Sequence, residues 1–277
     1  MNLTANEIED FIARALAEDI GAGDITSDAT IPQDARLSAE MRCREALIVA
    51  GLDIALGVFR KVVRGCRIDV LVKDGQRAIA GGILARIEGP ARPMLTAERT
   101  ALNIVQHLSG IATLTRAYVD QVSGTKAVIL DTRKTIPGLR RFAKYATNVG
   151  GAQNHRLGLY DGVLIKDNHI AVCGGIAPAI AAAKAKGLTE IEIECDTLDQ
   201  VKEALQSGAR HLLLDNMDLA ALRGAVALAA GRAKLEASGG VTLEAVRAIA
   251  ETGVDFISIG RITQSAPAVD IGLDYTA

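Results

Sequence analysis

Between Asp131 and His169 the chain reads DTRKTIPGLRRFAKYATNVGGAQNHRLGLYDGVLIKDNH, and this stretch gathers the groups best able to do chemistry. It carries Arg133, Lys134, Arg140, Arg141, Lys144, Arg156 and Lys166 with His155 and His169, against only three acids, Asp131, Asp161 and Asp167, in a protein of net charge −2. Forked guanidinium donors beside compact ammonium groups are what a small polyanion requires. Thr132-Arg133-Lys134 and Asn154-His155-Arg156 are the densest points. A solvated charge run is the bland alternative, and it fails at Lys166, which continues the apolar run Val163-Leu164-Ile165. Arg140, Arg141 and Lys144 follow Pro137-Gly138 and read instead as one face of a helix, scaffold rather than site.

The elements that must position these groups follow from periodicity. After about residue 124 short apolar runs recur at intervals of roughly 20–35 residues, with Ala- and Leu-rich helical stretches between the later ones. They are Ala127–Leu130, Gly162–Ile165, Ile191–Ile193, His211–Leu214, Lys234–Ala237 and Phe256–Ile259. Alternating strand and helix means parallel strands with crossover helices. Polar residues come as each run ends: Asp131 to Lys134, Lys166 to His169, Glu194, Asp215-Asn216, Ser238-Gly239-Gly240 and Gly260. In a parallel α/β barrel these carboxyl ends share one face, where sites are built. An open sheet would concentrate its ligand groups at one switch point instead.

Within the runs, Glu192 and Glu194 share a face, as do Lys234, Glu236 and Ser238, and His211, Leu213 and Asp215. Faces so charged need pairing if they turn inward, and Lys234 is expected to pair with a neighbouring carboxylate. Ser238, Gly239, Gly240 and Gly260 offer N–H and hydroxyl donors to a phosphate at the late-strand loops. Glu194 and Asp215 could hold a ribose diol or, through waters, a Mg²⁺ ion carried on a phosphate. His107 and His211 show no partner pattern and read as packed or surface histidines.

The first part of the chain is mixed. Thr4 and Glu7 form a capping box ahead of a stripe of Ile8, Phe11, Ile12, Ala15 and Leu16. Ser38–Val49 and Ile68–Val72 read as strands around a helix at Leu52–Val63, and Thr96–Val122 as a helix broken or bent near Gly110. Cys43, Cys66, Cys173 and Cys195 lack metal or disulfide spacing and read as small buried thiols of a reducing compartment. The N-terminus lacks a signal-peptide core and no apolar run nears the ~20 residues of a bilayer span, so a cytoplasmic protein without a membrane role is expected. With 3% aromatics and a pI near 6.1, nucleic acid is not an expected partner.

Motifs along nearly the whole chain resemble the quinolinate phosphoribosyltransferase family. They are Glu18-Asp-Ile-Gly-Ala-Gly-Asp-Ile-Thr26, Glu98-Arg-Thr-Ala-Leu-Asn103, Leu108-Ser-Gly-Ile-Ala-Thr113, Asp131-Thr-Arg-Lys-Thr135 with Pro137-Gly-Leu-Arg140, and Asn154-His-Arg156. Leu164-Ile-Lys-Asp-Asn-His169, Leu214-Asp-Asn216, Glu236-Ala-Ser-Gly-Gly240, Gly253-Val-Asp255 and Asp270-Ile-Gly-Leu-Asp274 continue in family order. The resemblance implies an α/β fold: an N-terminal α+β sandwich domain over residues 1–110, rejoined by the tail 266–277, and an incomplete parallel α/β, TIM-like barrel over 111–265. It implies transfer of phosphoribosyl from 5-phosphoribosyl 1-diphosphate to quinolinate with loss of CO₂, in the presence of Mg²⁺.

By the same resemblance Arg99, Thr132, Arg133, His155, Arg156 and Lys166 surround quinolinate, while Lys134 and Lys166 face the diphosphate. Glu194 and Asp215 take the ribose hydroxyls and the waters of Mg²⁺; Ser238, Gly239, Gly240 and Gly260 take the 5′-phosphate. Lys134, Lys166, Glu194 and Asp215 are the catalytic candidates. Arg99 would reach the neighbouring active site of a homodimer, itself free to form a higher oligomer. Thr263-Gln264-Ser265 departs from the frequent Thr-His-Ser, and Gly150-Gly151-Ala152 from a run of three glycines. Gln264 cannot titrate, so it carries no proton-transfer role. Three other readings stay open here: a nicotinate-using phosphoribosyltransferase, a Schiff-base aldolase with Lys166 as nucleophile, and a nucleotide-binding module without catalysis.

Overall fold

The computed structural model describes residues 2–276, and the chain divides into two units. Unit 1 runs to Arg116 and also takes Arg141–Gly151 and the chain from Ser265; unit 2 takes Ala117–Arg140 and Ala152–Gln264.

Unit 1 begins with helix α1 (Ala5–Ile20), whose first turn is closed by the Thr4–Glu7 capping box and whose stripe buries Ile12 and Leu16. Helix α2 (Ile25–Thr30) is capped by Asp24, which accepts the Ser27 N–H at 3.0 Å. Strands β1 (Arg36–Cys43) and β2 (Leu47–Ile48), helix α3 (Leu52–Val62), strands β3 (Arg67–Val70), β4 (Arg77–Ala78) and β5 (Ile83–Pro90), and helices α4 (Ala91–Gln121) and α5 (Arg140–Gly150) follow. The C-terminal strand Ile271–Thr276 returns to pair antiparallel with β1, giving the sheet order C-terminal strand, β1, β5, β3. Along β1 the period of two is visible. Ala39, Met41 and Cys43 are buried, while Glu40 on the alternate face binds Arg42 and Arg86. The core adds Leu56, Phe59, Leu84, Ile87 and Leu102.

Unit 2 holds six parallel strands: β6 (Val128–Leu130), β7 (Val163–Ile165), β8 (Ile191–Cys195), β9 (His211–Asp215), β10 (Lys234–Ser238) and β11 (Phe256–Ser258), in the order β6-β11-β10-β9-β8-β7. Helices α6 (Asp167–Cys173), α7 (Ile176–Ala185), α8 (Leu198–Gln206), α9 (Leu219–Ala229) and α10 (Val246–Ala250) connect the strands from β7 on, and α11 (Arg261–Gln264) follows β11. Strands β6 and β7 are the sheet edges and share no ladder; Gln153 makes only a single parallel bridge to Leu130. The helix between β6 and β7, α5, belongs to unit 1. The barrel is therefore incomplete, as expected of the fold class.

Three expectations change. Helix α4 runs unbroken through Gly110. The glycine serves close approach rather than a break, because a Cβ there would overlap the Pro267 carbonyl oxygen. Lys144 is fully buried in α5 rather than displayed on a helix face, and Arg141 of the same helix binds Glu7 at 2.7 Å. Of the cysteines, Cys43 and Cys195 are buried, but Cys66 is half-buried and Cys173 is exposed; all four are free thiols. Gly110→Ala is expected to destabilise the protein by about 1–3 kcal/mol through overpacking against the tail. Urea denaturation beside the parent chain measures this, and equal midpoints would contradict the close packing.

Candidate active site

Strand alternation places the site. Leu164 and Lys166, Leu213 and Asp215, and Glu236 and Ser238 are pairs two residues apart, and each pair lines one cleft together with Thr132, Arg133, Lys134, His155, Arg156 and Ser258. Their outward neighbours Ile165, Leu214 and Ala237 are buried. The two edge strands β6 and β7 both lead residues into this cleft, so the sheet curls and its carboxyl ends converge. Of the remaining candidates, Glu194 enters through Lys166, and Gly260 lies under the stem of Lys134, where a Cβ would come within 2.8 Å of Cδ. Gly239 and Gly240, at φ 94° and 58°, turn the chain after Ser238 in a conformation that L side chains avoid. Arg99 is not among the cleft-lining residues and is exposed on α4 of unit 1.

Buried Asp131, the first residue after β6, fixes the loop that carries His155 and Arg156. Its carboxylate accepts the Asn154 side-chain amide at 2.6 Å and the His155 N–H at 2.9 Å. Arg140 ties the same region together, donating to Thr135 Oγ1 at 3.2 Å and to the Leu157 and Arg133 carbonyls at 3.2 and 3.4 Å. Thr132 Oγ1 accepts the Lys134 N–H at 3.0 Å, shaping the turn between them. Thr263 Oγ1 donates to the Lys134 carbonyl at 2.7 Å.

Charge is the defining property of the mouth. Burial, together with the field of Arg133, pushes the Arg156 guanidinium below its usual range despite Glu192 and Asp161. Arg133 Nε is buried with no partner among the described residues. Two guanidinium groups in one cleft, one with an unsatisfied donor, are able to receive an anion. Lys166 Nζ sits 2.8 Å from Glu194 Oε2, with its side chain 48% exposed and the carboxylate only 7%. That ion pair engages Glu194 and leaves half of the lysine side chain open to the cleft. Cys195 is ruled out as a nucleophile: burial and then the nearby acids push its thiol up to about 12.

Oxygen atoms of Glu194, Asp196 and Asp215 can approach within 4.8 Å of one another. Three hard carboxylates, with Asp196 and Asp215 reaching solvent, suit a Mg²⁺ ion that retains waters. Sequence alone does not single out Asp196, because it lies one residue beyond its strand; the only signal is its position two residues past Glu194, on the same alternating face.

Below the mouth the inward face is ionic. His155 Nδ1 accepts the Arg156 N–H at 2.7 Å, so Nε2 carries the proton that points at Glu192 Oε2, 3.0 Å away. His211 Nε2 stands 3.7 Å from Glu192 Oε1 and 3.6 Å from Glu236 Oε2, distances of charge attraction rather than direct hydrogen bonds. Glu236 is fully buried and neither of its oxygens has a direct hydrogen-bond partner among the described residues. His211 is thus no isolated histidine, contrary to the expectation from sequence; the missed signal is its register partner Glu192 on β8. Lys234, on the strand of Glu236, points away to Asp255 at 3.0 Å, the carboxylate pairing expected of it.

Burial opposes ionisation of Glu192, but the His155 hydrogen bond and the fields of His211 and His155 outweigh it and lower the pKa. Burial likewise opposes the proton on His211, and Glu236 and Glu192 overcome it, raising the pKa above 6.5. A raised pKa contributes stability that is complete below the ordinary value and lost as pH rises through the folded one. Thermal melts of His211→Asn against the parent chain should show the parent's advantage largest below pH 6.5 and shrinking as pH rises above it. An advantage that does not vary with pH would contradict this coupling.

Two family models cover the chain: the N-terminal domain of quinolinate phosphoribosyl transferase over residues 24–109 and its C-terminal domain over residues 111–274. The chain is 46% identical to nicotinate-nucleotide pyrophosphorylase (carboxylating) of Mycobacterium leprae, across 96% of each chain. A probable enzyme of that name from Bacillus subtilis is 42% identical, across 94% of this chain and 90% of its own. Among solved structures, the nicotinate-nucleotide pyrophosphorylase of Ehrlichia chaffeensis aligns over 100% of both chains with a TM-score of 0.95 and 43% identity. The Francisella tularensis enzyme aligns over 99% of this chain and 98% of its own, with a TM-score of 0.93 and 39% identity. By sequence in both domains and by fold throughout, the chain belongs to the quinolinate phosphoribosyl transferase family.

Proposed function

We propose that this protein transfers phosphoribosyl from 5-phosphoribosyl 1-diphosphate to quinolinate, giving nicotinate mononucleotide, CO₂ and diphosphate in the de novo synthesis of NAD. The observation that carries the reading is the gathering of Arg133, Lys134, Arg156 and Lys166 in one cleft, with Arg133 Nε unsatisfied among the described residues. Quinolinate brings two carboxylates, one more than nicotinate, to that cationic cluster. Thr132, Arg133, His155, Arg156 and Lys166 surround the ring, with His155 closing the floor and holding the Arg156 backbone.

At the donor end, Ser238, Gly239, Gly240 and Gly260 offer their donors to the 5′-phosphate. Glu194 and Asp215 hold the ribose hydroxyls. The same carboxylates would hold Mg²⁺ through waters, and the ion supplies positive charge to the diphosphate. Lys134 and Lys166 face the diphosphate and stabilise the charge that grows as the C1–O bond breaks. The sugar gains oxocarbenium character, and the pyridine nitrogen lone pair forms the new bond to C1. The resulting pyridinium takes up the electron pair of the bond to the C2 carboxylate, releasing CO₂; a proton from solvent then completes the ring carbon. Holding both reactants in one frame removes much of the entropic cost of their meeting.

Arg99, exposed on α4, is assigned to the active site of a second copy in a homodimer, which gives a first-domain arginine a place at the barrel mouth. Lys134→Ala and Arg99→Ala are each expected to lower turnover by on the order of a hundredfold or more with melting unchanged. Mixing the two variants under exchanging conditions should restore part of the activity, because one hybrid site then has both residues. Activity near that of the parent in Lys134→Ala would refute its assigned role. A mixture no more active than its components would refute the shared site.

A further inference from the structure

Asn216 has a left-handed backbone. Its φ is 53°, and among the described residues only Ala230 is another non-glycine with positive φ, at the end of helix α9. Left-handed backbone costs an L residue free energy, least for Asn and nothing for Gly, and persists where its surroundings require it. Asn216 closes no helix; it follows Asp215 at the end of β9. Its Nδ2 donates to Asp215 Oδ2 at 2.6 Å. Its backbone N–H donates to the Ser238 carbonyl at 2.9 Å, one residue beyond the Asp215–Ser238 pair of the ladder. Its side chain lies against Gly239 so closely that a Cβ there would overlap Oδ1 and stand 2.6 Å from Cγ. One side chain therefore touches both the carboxylate assigned to the ribose and the loop assigned to the 5′-phosphate.

We propose that Asn216 is a positioning residue that locks the Asp215 carboxylate to the Ser238-Gly239-Gly240 loop, fixing the spacing at which the phosphoribosyl donor is read. The proposal rests on the donor site described above. Glycine would suit the backbone better at this position, yet it would leave Asp215 without the amide that orients it. Gly239 has to lack a Cβ for the same reason, since the Asn216 amide fills that space. Quinolinate, bound by the arginines of the β6 and β7 loops, lies outside the reach of this lock.

The test compares the parent chain with Asn216→Gly and Asn216→Ala, using melting temperature and calorimetric titration with phosphoribosyl diphosphate plus Mg²⁺ and, separately, with quinolinate. Asn216→Gly should melt at or above the parent temperature yet bind the donor about tenfold more weakly. Asn216→Ala should melt lower, because alanine resists the left-handed backbone, yet bind the donor as weakly as the glycine variant. Quinolinate affinity should be unchanged in both. Donor affinity at the parent level in Asn216→Gly, or a loss that follows melting temperature across the two variants, overturns the proposal. Parent protein that binds no phosphoribosyl diphosphate overturns the donor-site reading itself, and the lock with it.

Discussion

Arg133 and Arg156 line one cleft, where burial and the field of Arg133 both work against the charge on Arg156. Neither guanidinium is neutralised by a direct ion pair among the described residues, and burial depresses the proton affinity of Arg156 further. Asp131 anchors the Asn154-His155 segment and Arg140 binds the Arg133 and Leu157 carbonyls, so the backbones that carry both arginines are fixed. An entering anion would offset the cost of holding like charges in one cleft.

The acids are distributed so that none forms a direct ion pair with either arginine among the described residues, although Glu192 and Asp161 act on Arg156 through their fields. Glu194 is engaged by Lys166, and Glu192 and Glu236 face His155 and His211 deeper in the barrel. Asp215 is held by Asn216 on the donor side. On the proposed assignment, binding groups for a carboxylate-bearing ring and for a sugar phosphate occupy separate sectors of one mouth. The last-strand glycines matter because they leave room: Gly260 for the Lys134 stem and Gly239 for the Asn216 amide.

Much of this is legible in the sequence, and the physical reason is the parallel strand. An apolar run such as Val163–Ile165 that ends in Lys166 announces both a strand and the place where its terminal charge emerges. Period-two alternation alone puts Glu192 and Glu194, and Glu236 and Ser238, on shared faces. What cannot be read depends on contacts between distant segments. His211 finds Glu236 only across β9 and β10, and Gly110 is explained only by Pro267. Lys144 lies in a helix whose charged residues look solvated from their spacing, and only the packing around α5 shows it buried. Asn216 reads as a strand-end polar residue until its backbone angle and its contact with Gly239 are seen together.

The central claim, a cleft built for a pyridine dicarboxylate beside a phosphoribosyl donor, is tested most directly by following CO₂ and nicotinate mononucleotide from the purified protein. Quinolinate with 5-phosphoribosyl 1-diphosphate and Mg²⁺ should give both products in equal amounts, and nicotinate in place of quinolinate should give next to none. Mononucleotide formed as readily from nicotinate, or from quinolinate without release of CO₂, would contradict the account.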